Sequence, residues 1–374
     1  MSFLVSVYYM KITKVSKIVW IVLLALFVRL FFSYWQYSGD LKNHFVWANS
    51  FLDNPTGFYL RHFLGFNDPN YPPLSIYLFG LSLALYRTFL AIILYLNQQI
   101  AIFPSHLVPL FQSENMIYAF LKLPGILADI GCGLLIYKLT NKSLIKSTLY
   151  LLNPATIYLS AVWGQIESIT VFFLLLTIYS PSIIYSFIFL TLGTLTKQTV
   201  LWFSPIIIFF EYKKHGLKKV IQSVLVSFVI FLVCYIPVGF TPIKAVPSYL
   251  STLSGSSTVV SDAAWNAWYY LFNQGTNDSV LILNSVSVRF VSILILLFLL
   301  ILLIKKNHNY RSALFWWSIV VFFFQTRVHE RHLAFAIPLF IISSSFTWQS
   351  LLAFIALSTY HLLNLMWSLK LPFI

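Results

Sequence analysis

Charge is what this 374-residue chain has least of. Only 9% of its residues are Asp, Glu, Lys or Arg, and 10 acids face 24 Lys and Arg. With 59% hydrophobic residues and a mean hydropathy of +0.83, a polar exterior for a soluble domain of this length is excluded. Cysteine is nearly missing. Cys132 and Cys234 both lie inside apolar runs, so neither a disulfide framework nor a thiolate metal site is implied. Alternating apolar and polar residues are also missing, which argues against a membrane β-barrel. His44, His62, His329 and His332 show no spacing like His-Glu-x-x-His, so no metal is assigned; an ion held by Asp40 and a phosphate stays open. Lys11, Lys14 and Lys17 precede the apolar run Ile18–Trp35 as in a signal peptide. No small-residue cleavage site follows, and a retained first helix is expected.

What the chain has instead is one apolar run after another, bounded by Lys or by Gly, Pro and Asn. Such runs read as membrane-spanning helices, which satisfy their own backbone polar groups in lipid. The 18% aromatic share suits lipid-facing and interfacial surfaces. The expected fold is therefore an all-α integral membrane protein, with residues 1–374 in one multispanning domain. The net charge of +14 does not imply nucleic acid, because the basic residues form short clusters between the runs. That pattern sets orientation in a bilayer.

With Lys11–Lys17 taken as cytoplasmic, residues 37–73 become a first extracytoplasmic loop containing an interfacial helix. Residues 74–103 are expected to make a re-entrant or paired-helix excursion, since a single crossing would put Lys138, Lys142 and Lys146 outside. Further spans fall at about 117–137, 148–162, 169–179, 183–195, 200–210, 220–236, 288–304, 314–324, 332–342 and 351–367. A second large external loop covers 237–284. This makes about eleven crossings plus the excursion. Several fall below the roughly 20 residues of a full crossing, so tilted or broken helices are expected.

Six polar clusters then share the outer face. They are Asp40; Tyr71-Pro72-Pro73-Leu74; Trp163-Gly164-Gln165-Ile166-Glu167; Thr196-Lys197-Gln198; Trp265–Tyr270, with Asn266 and Trp268; and Arg327–His332, with His329 and Arg331. Convergence of this kind is what a site at a membrane interface requires. Arg327, His329 and Arg331 crowd a short turn, a poor place for cations unless an anion joins them. Guanidinium matches phosphate oxygens, and Lys197 adds a point charge. Asp40 is the candidate general base for a hydroxyl that attacks while a phosphate departs.

Each cluster also has a structural reading. Asp40 is placed to cap the helix that starts near Leu41. Tyr71-Pro72-Pro73 serves equally as punctuation, and Gln165 and Glu167 as helix-end partners. The Trp265–Tyr270 aromatics fit an interfacial belt as well as a sugar platform. Arg29 and Asp129 lie near mid-depth in the first two spans and are expected to pair with one another in a structural role.

At these motifs the chain resembles the GT-C glycosyltransferases, multispanning enzymes that use polyprenyl-phosphate sugars. It is most similar to bacterial and archaeal mannosyltransferases related to GPI mannosyltransferase 2. The matching residues are Asp40, Tyr71-Pro72-Pro73-Leu74, Lys122-Leu123-Pro124 with Asp129, Asn153-Pro154 through Gln165, Thr196-Lys197-Gln198, Asn266-Ala267-Trp268 and His329-Glu330-Arg331. The Tyr-Pro-Pro-Leu and Val-His-Glu elements are also similar to the ER glucosyltransferases that use dolichyl-phosphate glucose. The group usually has Asp where Glu167 stands and often an aromatic where His332 stands.

The resemblance implies a bundle of about 11–13 transmembrane helices with a large first extracytoplasmic loop. It implies an inverting transfer of a hexose, mannose first, from a polyprenyl-phosphate donor to a lipid-linked or glycan acceptor. Asp40 would be the base. Lys197, Gln198, Arg327, His329 and Arg331 would face the donor phosphate, and Tyr71, Trp163, Gln165, Glu167, Asn266 and Trp268 the substrates. The alternatives are a transporter or flippase of lipid-linked saccharides, or a polymerase joining preassembled glycans.

Overall fold

The structure, a computed structural model, describes residues 2–254, 257–282, 285–306 and 309–372. The side chains of Lys11 and Lys14, and residues 255–256 and 283–284 of the second large loop, lie outside the described residues.

Helix accounts for 76% of the chain. Among the described residues it forms seventeen α-helices and a single pair of two-residue strands, Leu281–Ile282 and Val286–Ser287. The first three helices are α1 (Ser2–Trp35), α2 (Gly39–Asp53) and α3 (Pro73–Gln99), the last opened by proline at its first position. A short α4 (Val108–Phe111) leads to α5 (Glu114–Leu139), which Ser113 caps by accepting from the Met116 N–H. Two pieces follow, α6 (Leu144–Leu151) and α7 (Pro154–Ile157), divided where Asn153 caps a new start ahead of Pro154. Next come α8 (Glu167–Tyr179), α9 (Ile183–Thr196), α10 (Ser204–His215) and α11 (Leu217–Val233). The long loop carries α12 (Pro242–Ser254) and α13 (Ala267–Leu271). The chain finishes with α14 (Val288–Lys306), α15 (Tyr310–Phe324), α16 (Ala336–Ser343) and α17 (Trp348–Leu369).

Among the described residues, six helices are long and apolar enough to cross a membrane: Lys17–Trp35, Pro73–Gln99, Glu114–Leu139, Leu217–Val238, Val288–Lys306 and Trp348–Leu369. Five coincide with expected spans. The remaining expected spans are short or broken helices: α8, α9 and α15 have 13, 14 and 15 residues, and three segments combine a short α-helix with tighter or wider turns. The sixth long helix, α3, corrects the paired-helix form of the excursion, because residues 73–99 are one continuous helix. Its start and the following return lie at one end of the bundle. The Ser75 hydroxyl donates to the Thr196 carbonyl at 2.5 Å, and Tyr37 at the end of α1 donates to Glu114 at 3.4 Å.

The far end of the bundle collects the basic turns. Arg311 donates to the Leu139 carbonyl at 2.9 Å, Lys146 to that of Ser344 at 2.5 Å, and Tyr310 packs against Phe210. Between the ends, the buried Arg29 guanidinium meets Asp129 at 3.1 Å, Thr156 at 3.1 Å and the Leu151 carbonyl at 2.6 Å. Tyr150 donates to the other Asp129 oxygen at 2.8 Å, so α1, α5, α6 and α7 are held by one polar knot. A second core, rich in aromatics, lies beneath α2 and α3. His44 stacks on Phe79 with ring centroids 4.2 Å apart, which fixes the face of α2 that carries Asp40.

Candidate functional site

Asp40 is the second residue of α2, and it is not a cap. Ser38 occupies the cap position, and its hydroxyl donates to the Trp163 carbonyl at 3.1 Å. The Asp40 carboxylate reaches across to a different part of the chain. It accepts from the Trp163 indole N–H at 3.3 Å and from the Gln165 amide.

Residues two apart share one acceptor because the chain reverses between them. Gly164 has φ +83°, a left-handed conformation that favours glycine, and an added Cβ would lie 2.7 Å from Leu41. The preceding turn, Tyr158–Trp163, is a π-helix, in which the Leu159 carbonyl accepts from both Gly164 and Gln165 at 3.1 and 3.0 Å. Wide turns of this kind recur where a helix must present side chains irregularly.

Behind Asp40 lies a compact charge cluster. Glu167, fully buried in the first turn of α8, is paired with the Lys197 ammonium and lies 3.1 Å from the Arg331 guanidinium. Arg331 also donates to Glu330 at 3.0 Å and sits 5.7 Å above the Trp163 ring. Lys197 lies 5.1 Å from the centre of the Tyr71 ring. Burial pushes the Asp40 carboxyl up, but the Arg331, His44 and Lys197 charges outweigh it and hold it below its ordinary 3.8. It is ionised at neutral pH. Burial, against the pull of Asp40, drops His44 to about 4. Burial and nearby Arg331 and Lys197 likewise keep His329 neutral.

Two cavities meet at this cluster. The first, about 830 Å³, is lined by Gly39, Lys42, Phe63, Trp163 and Glu330 among others. The second, about 500 Å³, is lined by His44, Tyr71, Lys197, Gln198, Arg289 and His332 among others. Six residues face both: Asp40, Asn43, Asn67, Asp262, His329 and Arg331. A carboxylate and a guanidinium thus stand at the junction of the two cavities.

Not every expected residue lines this junction. Tyr71, Trp163, Lys197, Gln198, Arg327, His329 and Arg331 each face a cavity. Glu167 and Gln165 face neither. They hold Lys197 and Arg331, and Asp40, from behind. Asn266 and Trp268 line neither cavity. Asn266 caps α13 by accepting from the Tyr269 N–H at 3.0 Å, and the buried Trp268 indole donates to the Phe324 carbonyl at 2.8 Å. Arg327 reaches the second cavity but is gripped by Asp278 at 2.6 and 3.1 Å.

Among the site residues that sequence reasoning missed are His44, Asp262, Arg289 and, gripping Arg327, Asp278. For His44 a signal was there, since it stands four residues after Asp40 and so on the same helix face. The other three come from the long loop or its edge, which carries no periodicity that fixes its path. Among the described residues no three His, Cys, Asp or Glu side chains are grouped to hold a metal ion. No protein-family model matches the chain, and no curated protein matches it either.

Proposed function

We propose that the protein is an inverting glycosyltransferase of the GT-C type, moving a hexose, mannose first, from a polyprenyl-phosphate donor to a lipid-linked or glycan acceptor on the extracytoplasmic side. One observation carries this reading: Asp40 and Arg331 both stand where the two cavities join. An acceptor hydroxyl in the first cavity gives its proton to the Asp40 carboxylate as its oxygen bonds to the anomeric carbon. The bond from that carbon to the phosphate oxygen breaks on the opposite face, and the electron pair leaves with the phosphate in the second cavity. One base and one departing group give a single displacement with inversion. The depressed Asp40 pKa keeps the base ionised before the reaction, and Trp163 and Gln165 hold it in one orientation.

The transporter alternative has less support, since the charges within the spans are tied to each other, as Arg29 to Asp129, or to backbone, as Lys122 to the Ser33 and Ala161 carbonyls at 2.9 Å. The test is direct. Purified protein is incubated with radiolabelled polyprenyl-phosphate sugars and a membrane lipid extract, beside Asp40→Asn. Transfer by the wild type and none by the variant supports the reading; equal transfer by both, or none from any donor, removes it.

A further inference from the structure

The cations first assigned to the donor phosphate are each already matched by a carboxylate. Asp278 grips Arg327, Glu167 pairs with Lys197, and Glu167 and Glu330 flank Arg331. Counting Lys197 and Arg331 against Glu167 and Asp40 leaves no surplus positive charge, before Glu330 is considered. A phosphate entering the second cavity therefore needs a further cation.

Arg289 fits that need. It lines the second cavity, is exposed, and among the described residues its guanidinium has no hydrogen bond or ion pair. Its backbone is fixed, with the N–H donating to the Asp278 carbonyl at 2.9 Å. It stands second in α14, where the helix dipole disfavours a cation unless an anion joins it. Below it the helix is apolar and open. Ile293, Leu297 and Ile301 continue at four-residue spacing, 45%, 52% and 53% exposed. The same cavity carries a second, independent pointer to a polar ligand. The buried His44 Nδ1, Thr199 Oγ1 and His332 Nε2 lack any hydrogen-bond partner, a costly condition unless a ligand supplies one. For His332 the tautomer follows from its neighbour. Nδ1 accepts the His329 N–H at 3.1 Å, so the neutral ring carries its proton on Nε2, as a donor without an acceptor.

We infer that Arg289 seats the phosphate of a lipid phosphate ester at the mouth of the second cavity, with the chain along the Ile293–Leu297–Ile301 face and the esterified group reaching in toward His332 and Thr199. The inference rests on reading that cavity as the donor's. Farnesyl phosphate binding to the purified full-length protein tests it, with farnesol and inorganic phosphate as the separate halves of the ligand. Arg289→Ala is expected to weaken farnesyl phosphate about tenfold or more, the size of a lost charge-assisted contact, and Arg289→Lys by less. Thermal unfolding should not move, because the side chain is exposed and unpaired. Equal farnesyl phosphate affinity in wild type and Arg289→Ala overturns the assignment. Inorganic phosphate binding as tightly as the ester overturns the lipid half of it. Binding is scored without sugar transfer, so Arg289-dependent binding with no transfer from any donor would sink the proposed reaction and leave this seat standing.

Discussion

Glu167 and Arg331 are 164 residues apart in sequence and 3.1 Å apart in the fold, with the carboxylate fully buried and the guanidinium nearly so. Glu167 also holds Lys197, so one buried acid balances two cations that face the second cavity. Removing one partner of such a cluster leaves uncompensated buried charge, at a cost of about 3–5 kcal/mol. Glu167→Gln should lower the unfolding temperature and reduce transfer together. Glu167→Asp, which keeps the charge on a shorter arm, should recover part of both. A variant as stable as the wild type would show that the cluster does not depend on this acid.

Asp40→Asn keeps an oxygen for the Trp163 and Gln165 donors and so should fold normally. Its transfer rate should fall about 10²–10⁴-fold, the span typical of a lost general base. The measurement is initial rate at saturating donor, beside a thermal unfolding curve.

The acid limb of the rate should lie below pH 3.8, because the folded-state Asp40 pKa is depressed and the base stays ionised down to it. Stability should fail first. His44 has a folded pKa near 4 against an ordinary 6.5, so the chain binds more protons when unfolded between those values. Its contribution is whole above pH 6.5 and is lost as pH falls toward 4. Unfolding temperature read across that window should fall less steeply in His44→Phe, which keeps a ring against Phe79. Parallel curves for the two proteins would remove His44 from the explanation.

A charge swap between Arg29 and Asp129 should not restore stability. The pair is embedded in partners of fixed polarity: Arg29 donates to the Leu151 carbonyl, and Asp129 accepts from Tyr150. Asp129→Ala alone should cost about 3–5 kcal/mol, and an Arg29→Met, Asp129→Leu double variant should lose less than the single. Chemical unfolding in detergent gives the comparison.

Trp268→Phe should lower stability by about 1 kcal/mol, through loss of the bond to the Phe324 carbonyl, without changing donor or acceptor KM. A raised acceptor KM with unchanged stability would return this residue to the site.

Five long apolar helices and the gathering of polar clusters at one end could be read from the chain, because long apolar runs and Lys turns report directly on a bilayer. Asp40, Lys197 and Arg331 stood out because charge is so scarce among the residues around them. What could not be read was the pairing among those charges. Whether Arg327 faces a ligand or Asp278 depends on how a loop of nearly fifty residues folds back, and no local pattern encodes that path. The same limit applies to Asn266 and Trp268: the Asn266 side-chain oxygen caps α13, and the Trp268 indole bonds the last carbonyl of α15. The excursion failed in form because a continuous apolar helix and a helical pair have the same composition, and the difference lies in how α3 packs on α2.

Gly164 lines neither cavity, yet its bare α-carbon sets the distance between α2 and the π-turn, with Leu41 filling the space a methyl would need. Gly164→Ala would therefore act as a wedge, tilting α2 and drawing the Asp40 oxygen off its two donors while every charged group stayed in place. The seating of the Asp40 carboxylate is gauged by a residue that has no chemistry of its own.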